Sequence, residues 1–287
     1  MAAELLKGAP IAERIREEVA AQVAALKDQG VTPSLVAIQV GENPASAVYV
    51  GQQQKAAEKL GIAYRLEELP ADSSQKFVAD FIAKLNQDPN VSGIILQMPV
   101  PQGLNARALQ ASLDPAKDVE GVSPANMGWV VFGRPMLAPC TALGAFELIN
   151  STGVDLYGKE VVVVGHSDIV GKPLALLLLD KFATTTVCHI GTGERGVLPE
   201  HVKRAEILVV AVGKAGLVKG EWIKEGAIVV DVGINRVGDK LVGDVEFEAA
   251  AERAAYITPV PGGVGPLTVT MLMRNTVLAA KQQKGLE

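Results

Sequence analysis

Apolar runs of strand length recur at Ser34–Val40, Ser92–Met98, Glu160–Val164, Thr185–His189, Ile207–Val212 and Ala227–Val232. Between most of them the apolar positions change to helical spacing, so strand and helix alternate. The runs are rich in Val, Ile and Leu and lack the alternation of a half-buried strand. That pattern predicts parallel strands covered by helices on both faces. A strand-like stretch at Ala255–Thr258 and a helix-like one at Val269–Ala280 close the series, with Pro259-Val-Pro-Gly-Gly-Val-Gly-Pro-Leu-Thr268 between them. Prolines fix φ and remove donors, while glycines admit a close backbone approach. The segment from Pro261 to Pro266 is therefore expected to be a rigid, side-chain-poor wall for a flat ligand. A tight helix-entry turn would carry the same punctuation.

The chain has 287 residues and is 48% hydrophobic, enough for two cores. The fold class expected is α/β with two domains: an N-terminal α/β domain over residues 1–140 and a Rossmann-like parallel-sheet domain over 141–267. Gly133, Pro135 and Pro139 interrupt the pattern across 129–139 and place the junction there. The last helix, about 268–287, is expected to return to the first domain, and the polar tail from Gln282 to Glu287 to fray. Net charge is −5, and Lys203-Arg204 or the pair Lys214 and Lys219 are too thin for a nucleic-acid surface, so small molecules are the expected partners. Two cysteines, Cys140 and Cys188, without a signal-peptide pattern point to the reducing cytoplasm. No apolar run reaches membrane-spanning length. His166, His189 and His201 share no ligand spacing with each other or with the cysteines, so no metal is expected.

Val161–Val164 runs into Gly165-His-Ser-Asp-Ile-Val-Gly171-Lys-Pro173 and then an apolar helix. Strand, glycine turn and helix form the setting in which a dinucleotide pyrophosphate is held. Gly165 would make the turn, Gly171 would allow close helix packing, and the helix start would supply amides and a positive dipole end. The Gly-x5-Gly spacing also suits an ordinary βα turn. No acid follows at the distance that would select a ribose hydroxyl. A 2′-phosphate could instead meet His166 and Arg195, which leans the reading to NADP with NAD left open.

Asn43 as N-cap with Pro44 in the first turn marks a helix start. On that helix Tyr49 and Gln53 are i and i+4 and share a face. Gln97 projects from the end of an apolar strand, where open α/β sheets place ligand contacts. Asp118 and Glu120 lie two residues apart in Lys117-Asp-Val-Glu-Gly121. Each taken alone has a plain structural reading: a half-buried ring, a strand-end hydrogen bond, a solvated turn.

Taken together, Ser46-x-x-Tyr49, Gly93-Ile-Ile-Leu-Gln97-Met-Pro99, Lys117-Asp-Val-Glu-Gly121, Pro139-Cys-Thr141, Gly165-x-Ser167-x-Ile169-Val-Gly171-x-Pro173, Asp231-Val-Gly-Ile234 and Pro261-Gly-Gly-Val-Gly-Pro266 resemble the methylenetetrahydrofolate dehydrogenase/methenyltetrahydrofolate cyclohydrolase family. The resemblance covers nearly the whole chain. It implies a folate cleft between the two domains, a homodimer, and an enzyme of one-carbon metabolism. Such an enzyme passes a hydride from 5,10-methylenetetrahydrofolate to NADP and hydrolyses the methenyl product to 10-formyltetrahydrofolate. It implies that Tyr49 stacks on the folate, that Gln97 meets the reacting centre, and that the acids at 118 and 120 serve substrate binding, with Glu120 on the pterin. Pro261, Gly262 and Gly263 would face folate and nicotinamide. Thr141, Gly165, Ser167, Ile169, Ile190, Ala211, Ile234 and Thr268 would line the dinucleotide.

Three departures from the family pattern bear on function. Gln53 stands where the family has lysine, and Lys55 is about 200° further round the helix. A carboxamide forms hydrogen bonds but does not titrate in the useful range, so hydrolysis should weaken before hydride transfer does. A fully bifunctional enzyme and a catalytically impaired folate- or nucleotide-binding protein are the alternatives. Glu120 replaces the usual Asp, and a misplacement of about 1 Å can cost on the order of a hundredfold in rate. The loop from Ile190 to Gly196 lacks a polar residue right after His189, which bears on cofactor choice.

Overall fold

The strand at Ser34–Val40 is buried along almost its whole length, which is why its sequence is apolar on both faces. In the computed structural model, which describes residues 3–42 and 44–286, the chain starts with β1 (Glu4–Leu5), α1 (Gly8–Asp28), β2 (Ser34–Val40), α2 (Pro44–Leu60), β3 (Ala63–Leu69), α3 (Gln75–Gln87) and β4 (Gly93–Leu96). It continues through α4 (Ala106–Ala111), α5 (Pro124–Val131), α6 (Cys140–Ser151), β5 (Glu160–Val164), α7 (Gly171–Leu179), β6 (Thr184–Cys188), α8 (Ile190–Glu194), α9 (Leu198–Arg204) and β7 (Ile207–Val210). The last elements are β8 (Ile228–Asp231), β9 (Asn235–Val237), β10 (Lys240–Val242), α10 (Phe247–Ala251), β11 (Tyr256–Ile257) and α11 (Gly265–Gln283). Asn43, expected as an N-cap, lies outside the described residues.

Two compact units divide the chain: Arg14–Cys140 with Val269–Glu287, and Met1–Glu13 with Thr141–Thr268. The first holds a three-stranded parallel sheet in the order β3-β2-β4, with β2 paired on both sides. Its core gathers Val36, Ile38, Ile94 and Leu96 with the stripe Val78, Ile82 and Leu85 of α3. Fully burying such a side chain contributes about 1.5–3 kcal/mol. Ser74 caps α3 by accepting from Phe77 N at 3.2 Å. At the other end of α3, Lys117 Nζ donates to the carbonyls of Leu85 and Asp88 at 3.0 and 2.6 Å, so this lysine closes a helix instead of facing a ligand. The tail expected to fray is tied down at Gln283, whose Nε2 donates to Ser92 O at 2.7 Å and Ala116 O at 3.0 Å.

The second unit holds a six-stranded parallel sheet ordered β1-β11-β8-β7-β5-β6. From β5 the chain goes to β6 on one side and then returns to β7 on the other, so the order reverses between β5 and β7. Ligands of open α/β sheets bind outside the carboxyl ends of the strands at such a point. The N-terminal segment, assigned from sequence to the first domain, belongs here by its pairing: Glu4 and Leu5 match Tyr256 and Ile257 in parallel register. The stretch expected as a loop from Ile190 is helical through Glu194. His189 caps it, its Nδ1 accepting from Gly191 N at 3.2 Å.

Candidate functional site

Within the first unit, α2 and the end of β4 bring two carboxamides together. Gln97 Nε2 donates to Gln53 Oε1 at 2.9 Å. The hydroxyl of Tyr64, on β3, donates to the same oxygen at 3.3 Å. Gln53 is 0% exposed, and its Nε2 has no hydrogen-bond partner among the described residues. Lys55 points to solvent, as its position round the helix requires. Tyr64 was not singled out from sequence. Strand β3 reads Ala-Tyr-Arg-Leu-Glu-Glu-Leu, a polar edge pattern, and only knowing that it is a strand would aim that phenol at α2.

The acidic turn is placed by the sheet. Ile94 N donates to Lys117 O at 2.7 Å, and Ile94 and Asp118 form a parallel bridge, which lays 117–119 beside β4. Asp118, expected as a substrate contact, is instead fully buried. Its Oδ1 accepts from Gly121 N at 3.1 Å, and its Oδ2 from Ser123 N at 2.7 Å and Asn126 Nδ2 at 2.9 Å. A carboxylate so occupied shapes the turn. Burial, reinforced by the Asp118 charge, pushes the Glu120 carboxyl up to about 8. Burial also raises the Tyr49 phenol, with Cys140 and Glu120 adding to the effect. Cys140 is buried, its thiol raised by burial and by Glu120, and its Sγ donates to Val119 O at 3.3 Å. At neutral pH, then, Tyr49, Gln53, Gln97 and largely Glu120 are uncharged.

Within the second unit, the turn after β5 behaves as its glycines imply. A Cβ on Gly165, whose φ is +126°, would collide with the Ala211 carbonyl, and one on Gly171 would strike the backbone of Gly165. Two backbones thus meet at the switch point with no room for side chains. Ser167 Oγ accepts from Val170 N at 3.2 Å and shapes the entry to α7. Ile169, Ile190, Val212 and Ile234, each in a segment that follows a strand's carboxyl end, are exposed apolar side chains, suited to the faces of flat rings. The rings of His166 and His189 lie 5.3 Å apart. Thr268 Oγ1 donates to Thr141 Oγ1 at 3.5 Å. Pro261 and Gly262 are exposed and Gly263 is buried, with Gly262 O accepting from Gly8 N at 2.9 Å.

Sequence reasoning passed over a pair of buried acids beneath these segments. Asp231 accepts from the amides of Gly233, Asp244 and Val245 at 2.8–3.1 Å. Asp244 accepts from those of Val212, Gly213 and Lys214 and from Asn235 Nδ2 at 2.7–2.9 Å. Burial is the main cause that raises Asp231 to about 6, and the Asp244 charge adds to it. The motif Asp231-Val-Gly-Ile234 held one half of this bracket in plain view.

Among the described residues no group of three or more His, Cys, Asp or Glu side chains is arranged to hold a metal ion, and no helix is long and apolar enough to cross a membrane.

Comparison with known proteins matches residues 6–120 to the tetrahydrofolate dehydrogenase/cyclohydrolase catalytic domain and residues 139–284 to the NAD(P)-binding domain of the same family. The bifunctional protein FolD 2 of Geobacter sulfurreducens is 50% identical over 280 residues, covering 97% of each chain. Among solved structures, the bifunctional enzyme FolD-methylenetetrahydrofolate dehydrogenase/cyclohydrolase of Campylobacter jejuni superposes with a TM-score of 0.94 at 41% identity, covering 98% of this chain and 99% of that one. The Trypanosoma brucei methylenetetrahydrofolate dehydrogenase-cyclohydrolase, solved with NADP and an inhibitor, gives 0.93 at 39% identity, covering 98% of both chains.

Proposed function

The chain belongs to the tetrahydrofolate dehydrogenase/cyclohydrolase family, and from that premise we propose that it oxidises 5,10-methylenetetrahydrofolate to the methenyl form with NADP, while hydrolysing the product only weakly. The observation that carries the reading is Gln53: fully buried, its carbonyl held by Gln97 and Tyr64, with the nearby Lys55 turned to solvent. Hydrolysis needs a group that takes a proton from water near pH 7, and a carboxamide cannot. Hydride departure needs alignment and tolerance of a growing positive charge on the one-carbon bridge. Uncharged Tyr49, Gln53 and Gln97 meet that need better than an ammonium would. Glu120 holds the pterin side of the substrate, and Pro261, Gly262 and Gly263 offer backbone without bulk.

When bound, NADP supplies the hydride acceptor. The residues after β5 fit a dinucleotide: Gly165 and Gly171 leave backbone where a side chain would intrude, and Ile169, Ile190 and Ile234 present apolar faces. Thr141, Ser167, Ala211 and Thr268 would complete the lining. His166, with Arg195 on the loop after α8, would hold the 2′-phosphate, and His189 lies beside His166. NADP in the Trypanosoma brucei structure supports that choice, and NAD is the competing cofactor.

A cytoplasmic homodimer acting on tetrahydrofolate one-carbon derivatives, with neither nucleic acid nor membrane as partner, completes the proposal. Both cysteines are free, in keeping with a reducing compartment. The unpartnered Gln53 Nε2 favours one second reading, a fully bifunctional enzyme in which Gln53 orients water. Reduction of NADP and of NAD by the purified protein with methylenetetrahydrofolate tests the main reading. The expected result is faster turnover with NADP, and no reduction of either cofactor would refute it.

A further inference from the structure

The two ends of the Gln53 carboxamide are treated differently. Its oxygen accepts twice, from Gln97 Nε2 and from the Tyr64 hydroxyl, while its nitrogen is buried without a partner among the described residues. A buried N–H lacking an acceptor is unfavourable, and native proteins keep such groups where something else completes them. Tyr64 reaches Gln53 from a neighbouring strand, and burial raises its pKa to about 12, so the phenol stays protonated and able to donate.

We propose that Tyr64 is a positioning residue: by donating to Gln53 Oε1 it fixes which end of the carboxamide remains, so that the folate receives an uncharged N–H donor instead of a carbonyl oxygen. The inference rests on the folate-oxidising reading above. Its consequence is discrimination between substrate and product. The bridge nitrogens of 5,10-methylenetetrahydrofolate carry lone pairs, whereas in the methenyl product those electrons are delocalised into a cation. An N–H dipole matches the first and turns its positive end toward the second. A carbonyl in the same place would do the opposite. The arrangement favours the methylene substrate and lets the methenyl cation leave before water attacks it.

The test titrates the full-length protein with methylenetetrahydrofolate, without dinucleotide so that no turnover occurs, and with methenyltetrahydrofolate within its spontaneous lifetime. Tyr64→Phe leaves Gln97 Nε2 alone to hold the carboxamide oxygen and so loosens that orientation. It should move the ratio of the two dissociation constants toward the cation by about three- to tenfold, the worth of one hydrogen bond. In a Gln53→Met background the same substitution should leave the ratio unmoved, because Tyr64 acts through Gln53. An unmoved ratio in folded Tyr64→Phe, or an equal shift in both backgrounds, overturns the proposal. Should Tyr64→Phe not fold, Gln53→Glu decides instead: two oxygens in place of the N–H should shift preference to the cation by about tenfold or more, and an unchanged ratio is the contrary result. Binding of neither folate by the unaltered protein would sink the functional reading and this inference with it, whereas binding of both without the shift sinks this inference alone.

Discussion

The two units each bury a polar cluster, and the clusters are finished to different degrees. Both oxygens of Asp231 and of Asp244 have N–H partners, seven donors in all, drawn from the segments after β7, β8 and β10 and from the start of β9. In the first unit the Gln53 carboxamide nitrogen is left over, and Glu120, in the acidic turn of that unit, is half-buried with a perturbed pKa. A saturated cluster is architecture: it fixes loops. An unsaturated one keeps bonding capacity for something that arrives later.

Breaking the saturated cluster should have the largest effect. Asp244→Ala removes a fully buried acceptor from four part-buried hydrogen bonds, and the expected loss is about 2–3 kcal/mol of stability in thermal or denaturant unfolding. Dinucleotide affinity should fall with it, because Val212, Gly213 and Lys214 lose their anchor. Asp244→Asn retains an acceptor and should lose less. A small change in Asp244→Ala would show that the bracket is not what fixes those segments.

The unsaturated cluster should show itself through pH. Glu120 binds its proton more tightly in the native protein, at about 8, than at the ordinary carboxyl value of 4.5. Its contribution is therefore full below about pH 4.5 and is lost as pH rises through about 8. Melting temperatures across that window should fall for the native chain relative to Glu120→Gln, which cannot ionise. Parallel curves would place Glu120 in water. The smallest effect belongs to Gly51, mid-helix in α2, where an added Cβ meets nothing within 4 Å. Gly51→Ala should stabilise by about 0.5–1 kcal/mol through backbone entropy alone, and a loss would mean that the space is needed.

How much could be read beforehand follows from the same contrast. Strands β2 and β5 were legible to the residue because both faces are buried and the apolar run has sharp ends. β3 escaped notice because an edge strand shows solvent its polar half. β1 is two residues long and exists only through its pairing with β11. At the site, the i, i+4 spacing of Tyr49 and Gln53 and the strand-end place of Gln97 are local facts, open to sequence. Asp118 reads like a ligand contact because its partners, Ser123 and Asn126, become visible only once the turn is folded. Tyr64 and Asp244 act across strands, and no spacing along the chain announces that.

The central claim is that removing the amine separates two activities normally joined. Methenyltetrahydrofolate hydrolysis, followed beside NADP reduction in the unaltered protein and in Gln53→Lys, tests it most directly. Hydrolysis near the spontaneous rate in the former, rising by about tenfold or more with a lysine at position 53, is the predicted result. Hydrolysis in the unaltered protein that keeps pace with hydride transfer, or no gain from Gln53→Lys, would contradict it.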